Sequence, residues 1–230
     1  AAAAYATLRA GDAAAARREL QPLAAAAPAD TGLQLALGQA LNDTGDRRGA
    51  IESLERLRTK APSAAVALAL HRLLKLEKPG SAAVEPLQHW LAAHPEDVSV
   101  RGYHAEALLE MGDRRRAIAE YEVLLRHAPQ NVIALNNLAW LYYEAGDTRA
   151  VQTAKRAYDG APDQGEIADT YGWILVETGK AAEGKTVLER AASGSQDPEI
   201  KYHLAVAHAR SGDKRAAERV LRPLIESGAA

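Results

Sequence analysis

The residues of this 230-residue chain whose types and spacing could do chemistry are aromatics and amides set close together: Asn136, Trp140 and Tyr143 recur at steps of four and three, so a helix would place them on one face. Rings supply contact area and amides supply hydrogen bonds to a backbone, which is what gripping an extended peptide requires. Catalytic arrangements fall short one by one. Gly179-Lys180 is followed by Ala181, and Ile174 stands where a phosphate-binding loop needs Gly. His89/His94 and His203/His208 are five apart and diverge around a helix, so neither pair makes a helical zinc site. No Gly-x-Ser-x-Gly elbow occurs, and the absence of Cys removes thiol catalysis, zinc ribbons and disulfides together. The expectation is a chain that is not an enzyme and uses no cofactor and no metal.

Composition says what must position such a face. The chain is 47% hydrophobic, with no Phe, one Met and a large excess of Ala and Leu, a mixture that favours helix over strand. Apolar spacing agrees: Leu33, Leu37 and Leu41, then Ile51, Leu54 and Leu57, with nothing alternating at period two. A net charge of -2 gives no reason to expect nucleic acid, and acids surround the densest basic run, Arg114-Arg115-Arg116. The longest apolar run, Ala64 to Leu70, is far short of a membrane span.

Two rulers fix the organisation. Gly-Asp pairs stand at Gly11, Gly45, Gly112, Gly146 and Gly212, with Gly179-Lys180 as a variant, and Lys78-Pro79-Gly80 fills the one gap. The steps are 34, 67, 34, 33 and 33 residues, so one period of 33 or 34 governs the chain. Independently, Ala followed by Pro twelve residues later occurs at Ala16/Pro28, Ala50/Pro62, Ala83/Pro95, Ala117/Pro129 and Ala150/Pro162. Gly ends a first helix through positive φ, Asp caps a second helix, and Pro stops that second helix. The expected units are about 1–28, 31–62, 64–95, 98–129, 131–162, 165–195 and 198–227, the first beginning about four residues before Ala1.

The first helices carry a large-x2-large-small-x2-large pattern, seen in Gln34, Leu37, Gly38 and Leu41 and again in Leu135, Leu138, Ala139 and Tyr142. It returns in Ala168, Tyr171, Gly172 and Leu175 and in Lys201, Leu204, Ala205 and His208. His71 takes the place of the small residue in the third unit and His104 precedes Ala105 in the fourth, so looser packing is expected there. With these marks the chain resembles the tetratricopeptide repeat family over essentially its full length. The resemblance implies an all-α, right-handed solenoid of about seven helical hairpins, one superhelix over 1–230, serving as a protein-binding scaffold.

Peptides lie along the concave face of that family, on the first helix of each hairpin. Off the packing stripe, the resemblance places there Asn136, Asn137, Trp140 and Tyr143, then Asp169 and Trp173, then Tyr202 and His203. The N-terminal units present a plainer set, mainly Leu35, Gln39, Leu68 and Arg72. Family members that clamp an acidic C-terminal tail use Lys and Arg at these places. Here stand Asn136, Trp140 and Asp169, so that subtype is set aside.

Residues 131–225, through Leu135-Asn136-Asn137-Leu138-Ala139-Trp140, Asp169-Thr170-Tyr171-Gly172-Trp173 and Asp197-Pro198-Glu199-Ile200, resemble the C-terminal end of bacterial PEP-CTERM system TPR-repeat lipoproteins. That resemblance implies a periplasmic or outer-membrane setting, a lipid anchor in the full-length protein, and a role in protein sorting or exopolysaccharide export. The rivals are a cytoplasmic adaptor and a saccharide-binding scaffold whose Trp140, Trp173 and Tyr202 stack on sugar rings.

Overall fold

The computed structural model describes residues 1–228, and among them it contains fourteen α-helices and no strand. The chain divides into two compact units, Ala1–Asp113 and Arg114–Ala230. The first holds α1 (Ala2–Arg9), α2 (Ala13–Ala26), α3 (Thr31–Asp43), α4 (Arg47–Lys60), α5 (Ala64–Glu77), α6 (Ser81–Ala93) and α7 (Val98–Glu110). The second holds α8 (Arg114–His127), α9 (Val132–Glu144), α10 (Ala150–Gly160), α11 (Gly165–Glu177), α12 (Ala181–Ser193), α13 (Pro198–Arg210) and α14 (Lys214–Glu226).

The punctuation read from sequence accounts for these boundaries. Gly45 turns the chain out of α3 at φ +85, and the other turn glycines of the series share its sign. Asp46 then caps α4, its carboxylate accepting from the Gly49 amide at 3.0 Å. Asp12 and Asp213 do the same for α2 and α14. Asp147 departs from the expected role: it takes the Arg149 amide at 2.9 Å, and α10 starts only at Ala150. The second helices stop before proline because the residue ahead of Pro is pushed out of helical geometry, as at Ala27 (φ -129, ψ 70) and Ala61 (φ -143, ψ 72). Several first helices then begin on caps of their own, Asp30, Ser63, Asp97 and Asn131.

Within each unit the core is serial, each hairpin burying its apolar stripe against the next. Leu20, Leu37, Leu54, Leu57 and Leu70 form one continuous cluster in the first unit. In the second, Leu135, Ala157 and Ile167 join α9, α10 and α11, while Val176, Leu188 and Leu204 join α11, α12 and α13. The small residue of the first helix marks the closest crossing. A Cβ on Gly172 would meet Leu188 Cγ at 2.7 Å, and one on Gly184 would meet the Gly172 carbonyl oxygen at 2.6 Å. At the third hairpin His71 is buried, and its Nδ1 donates to the Ala83 carbonyl of α6 at 2.8 Å, a polar substitute for the tight crossing. No helix among the described residues is long and apolar enough to cross a membrane.

Candidate partner-binding face

The 33-residue step between hairpins of the second unit brings α9, α11 and α13 into one register. Asn136, Asp169 and Tyr202 share one place on the three helices, and Trp140, Trp173 and Val206 the place one turn on. The eight residues singled out from sequence do not form a uniform surface.

Trp140 and Tyr202 stand open, at 36% and 48% exposure. Trp140 leans on Tyr143 with ring centroids 5.5 Å apart, and both belong to α9. Tyr143 is half-buried, and its phenol is raised above the ordinary tyrosine range, first by burial and then by the Glu177 carboxylate of α11. Glu177 in turn binds Arg210 of α13 at 2.8 Å, so a chain of polar contacts crosses all three helices.

A second chain runs beside it. Asp169 accepts from His203 Nδ1 at 2.9 and 3.0 Å, and the imidazole lies flat on Trp173, centroids 4.1 Å apart. His203 is buried at 6% exposure, which makes it an internal support of the face. Asn137 is engaged differently: its amide nitrogen donates to the buried Tyr121 hydroxyl of α8 at 2.9 Å. Asn136 carries a buried amide oxygen with no hydrogen-bond partner.

The structure thus brings Trp140, Tyr143, Asp169, Trp173, Tyr202 and His203 into one network and points Asn137 back into the stack. Sequence reasoning passed over Arg210 and Tyr121. For Arg210 a signal existed, since it stands one 33-residue period after Glu177, opposite charges at the same place in consecutive repeats.

At the N-terminal ends of α11 and α13 the unit carries a cavity of about 570 Å³, lined by Asp163, Gln164, Glu166, Arg190, Asp197 and Ile200 among others. Arg190 is tied there to Asp163 at 2.6 Å. Among the described residues no group of three or more His, Asp or Glu is placed to hold a metal ion.

Comparisons with known proteins agree with this architecture. Family models described as tetratricopeptide repeat match residues 33–64, 104–165 and 198–223. A TPR repeat-containing protein of Pseudomonas aeruginosa is 28% identical over 165 residues, covering 67% of this chain. The matched stretch spans only about a quarter (27%) of that relative's length. Among solved structures, the C-terminal part of a TPR repeat-containing protein from Cytophaga hutchinsonii superposes with a TM-score of 0.73 at 14% identity, covering 97% of this chain and 93% of that one. PilW, a type IV pilus biogenesis factor, superposes with a TM-score of 0.67 at 16% identity, covering 84% and 91%. At such identities the likeness is one of fold. This chain carries tetratricopeptide repeats and has the fold of a tetratricopeptide-repeat solenoid, a scaffold for protein interaction.

Proposed function

We propose that the chain is a scaffold whose α9, α11 and α13 face holds an extended segment of a partner protein, in the assembly or sorting machinery of a bacterial cell envelope. One observation carries the reading: Trp140 and Tyr202 remain exposed on a face where the polar neighbours are already engaged with adjacent helices. Trp and Tyr are among the side chains most enriched at binding hot spots, where their rings supply contact area. Trp173, half-buried between them on α11, extends the same surface. The envelope setting is supported by the phrases of residues 131–225 and by the likeness in fold to a pilus biogenesis factor.

The test compares proteins captured from envelope extracts by the native chain and by a Trp140→Ala, Tyr202→Ala variant. Both residues are exposed, so the variant keeps its helices, which circular dichroism checks. Loss of the captured proteins supports the face; an unchanged set removes it as the site. Loss of bound polysaccharide with unchanged proteins would instead assign the aromatics to sugar stacking.

A further inference from the structure

The acidic side chains of the face are not all engaged. Glu144 pairs with Arg114 at 3.0 Å, Asp169 with His203 at 2.9 Å and Glu177 with Arg210 at 2.8 Å. Glu166 and Glu199 are exposed and make no ion pair among the described residues. Each occupies the first turn of its helix.

Their positions are matched to the rings. Glu166 precedes Asp169 by three residues and Trp173 by seven, and Glu199 precedes Tyr202 by three and Val206 by seven. Those spacings put each carboxylate on the same helix face as one ring, Trp173 or Tyr202, and nearer the helix N-terminus. Of the cations near the face, Arg210 and Arg114 are paired with carboxylates, whereas Lys201 donates to the neutral Gln196 Oε1 at 2.8 Å and keeps its charge. His208 stands 3.9 Å from Glu189. What the face offers a visitor is π surface bordered by the Glu166 and Glu199 carboxylates, with the Lys201 ammonium as a partial countercharge near Glu199. Such a surface repels acidic segments and attracts a guanidinium or ammonium, which gains from the ring and from the carboxylate together. The same unit already uses this chemistry internally, with the Arg149 guanidinium 4.1 Å above the Tyr142 ring.

We infer that the segment held by α9, α11 and α13 is cationic: an extended stretch bearing arginine or lysine, whose side chains lie against Trp140, Trp173 and Tyr202 and reach Glu166 and Glu199. This rests on the proposed partner-binding role of the face and adds the chemistry of the partner.

The experiment measures fluorescence anisotropy of three labelled, proline-spaced peptides against the whole chain. They carry arginine, glutamine or glutamate at the same positions. The arginine peptide is expected to bind about tenfold more tightly than the glutamine peptide and to weaken as salt rises, with no binding by the glutamate peptide. Trp140→Ala and the Glu166→Gln, Glu199→Gln double variant each lower its affinity about fivefold. Equal binding of the arginine and glutamine peptides, still lost in Trp140→Ala, overturns the cationic assignment and leaves the face standing. Arginine-peptide binding that neither variant weakens places the contact elsewhere and overturns both. No binding by the arginine peptide overturns the cationic assignment, and the capture experiment then decides the face separately.

Discussion

The first helices of the two units use the same repeat to different ends. In the first unit α3 and α5 leave Gln39 and Arg72 exposed, whereas Leu35 and Leu68, expected on the open face, pack partly against the core. Leu76 is 62% exposed, and an exposed Lys75–Glu110 ion pair joins α5 to α7. In the second unit the helices are cross-linked by Tyr143, Glu177 and Arg210 and by Asp169, His203 and Trp173. The difference teaches that a polar or aromatic residue on the outer face of a repeat helix is first a candidate rung to the next repeat. Those left exposed, such as Trp140 and Tyr202 here, are the residues proposed to bind.

The largest test of that contrast lies at the hairpin crossings. Gly184→Ala should destabilise the second unit by about 3 kcal/mol, because the new methyl meets backbone atoms of Gly172 and Val176 that have nowhere to go. For Gly38→Ala in the first unit the nearest atoms are those of the Leu54 side chain, at 3.4–3.5 Å. It should be neutral or stabilise by up to about 1 kcal/mol through the loss of glycine's backbone freedom. Hydrogen exchange resolved by residue reads each unit separately, as a repeat array needs. Equal effects at the two sites would erase the difference in crossing tightness.

Next in size is the rung beneath Trp173. Asp169→Ala leaves the His203 imidazole buried without its acceptor, at a cost of about 2 kcal/mol. Protection should fall first in α11 and α13, and Trp173 fluorescence should shift as the stacked ring loosens. If Asp169→Ala is as stable as the native chain, Asp169 is not a support and returns to the pool of residues open to a partner.

How far sequence reaches is visible in these residues. Gly45, Asp46 and Pro62 were legible because each acts on the backbone next to it, so their meaning travels with one repeat. Asp147 was misread because Arg149, two residues on, offered its carboxylate a guanidinium and an amide in place of a helix end. The shared register of Trp140, Trp173, Asp169 and Tyr202 was legible from the 33-residue period. The engagement of Asn137 with Tyr121 was not, since it depends on the distance between two helices and not on spacing along either. His203 shows the same limit: its turn of helix was clear, but burial by a neighbour's Trp173 is a property of the stack.

The smallest effect concerns the outer chain of contacts. Glu177→Gln removes the charge that holds Arg210 and borders Tyr143, at a cost below about 1 kcal/mol near neutrality, because Arg210 is well exposed. Its sharper signature is alkaline. A phenol raised in the folded state binds its proton more tightly there than when unfolded, so its contribution to stability is complete below pH about 10 and fades as pH rises beyond. Tyr142 and Tyr171 are raised in the same unit, chiefly by burial, and fade over the same window. With Gln at position 177, Tyr143 should ionise at lower pH and the alkaline loss of stability in the second unit should become shallower. Absorbance at the phenolate band and thermal melts between neutral and strongly alkaline pH would show it. An unchanged Tyr143 titration would mean that burial alone raises the phenol, reducing the bond between Glu177 and Arg210 to a surface pair like Lys75 and Glu110 of the first unit.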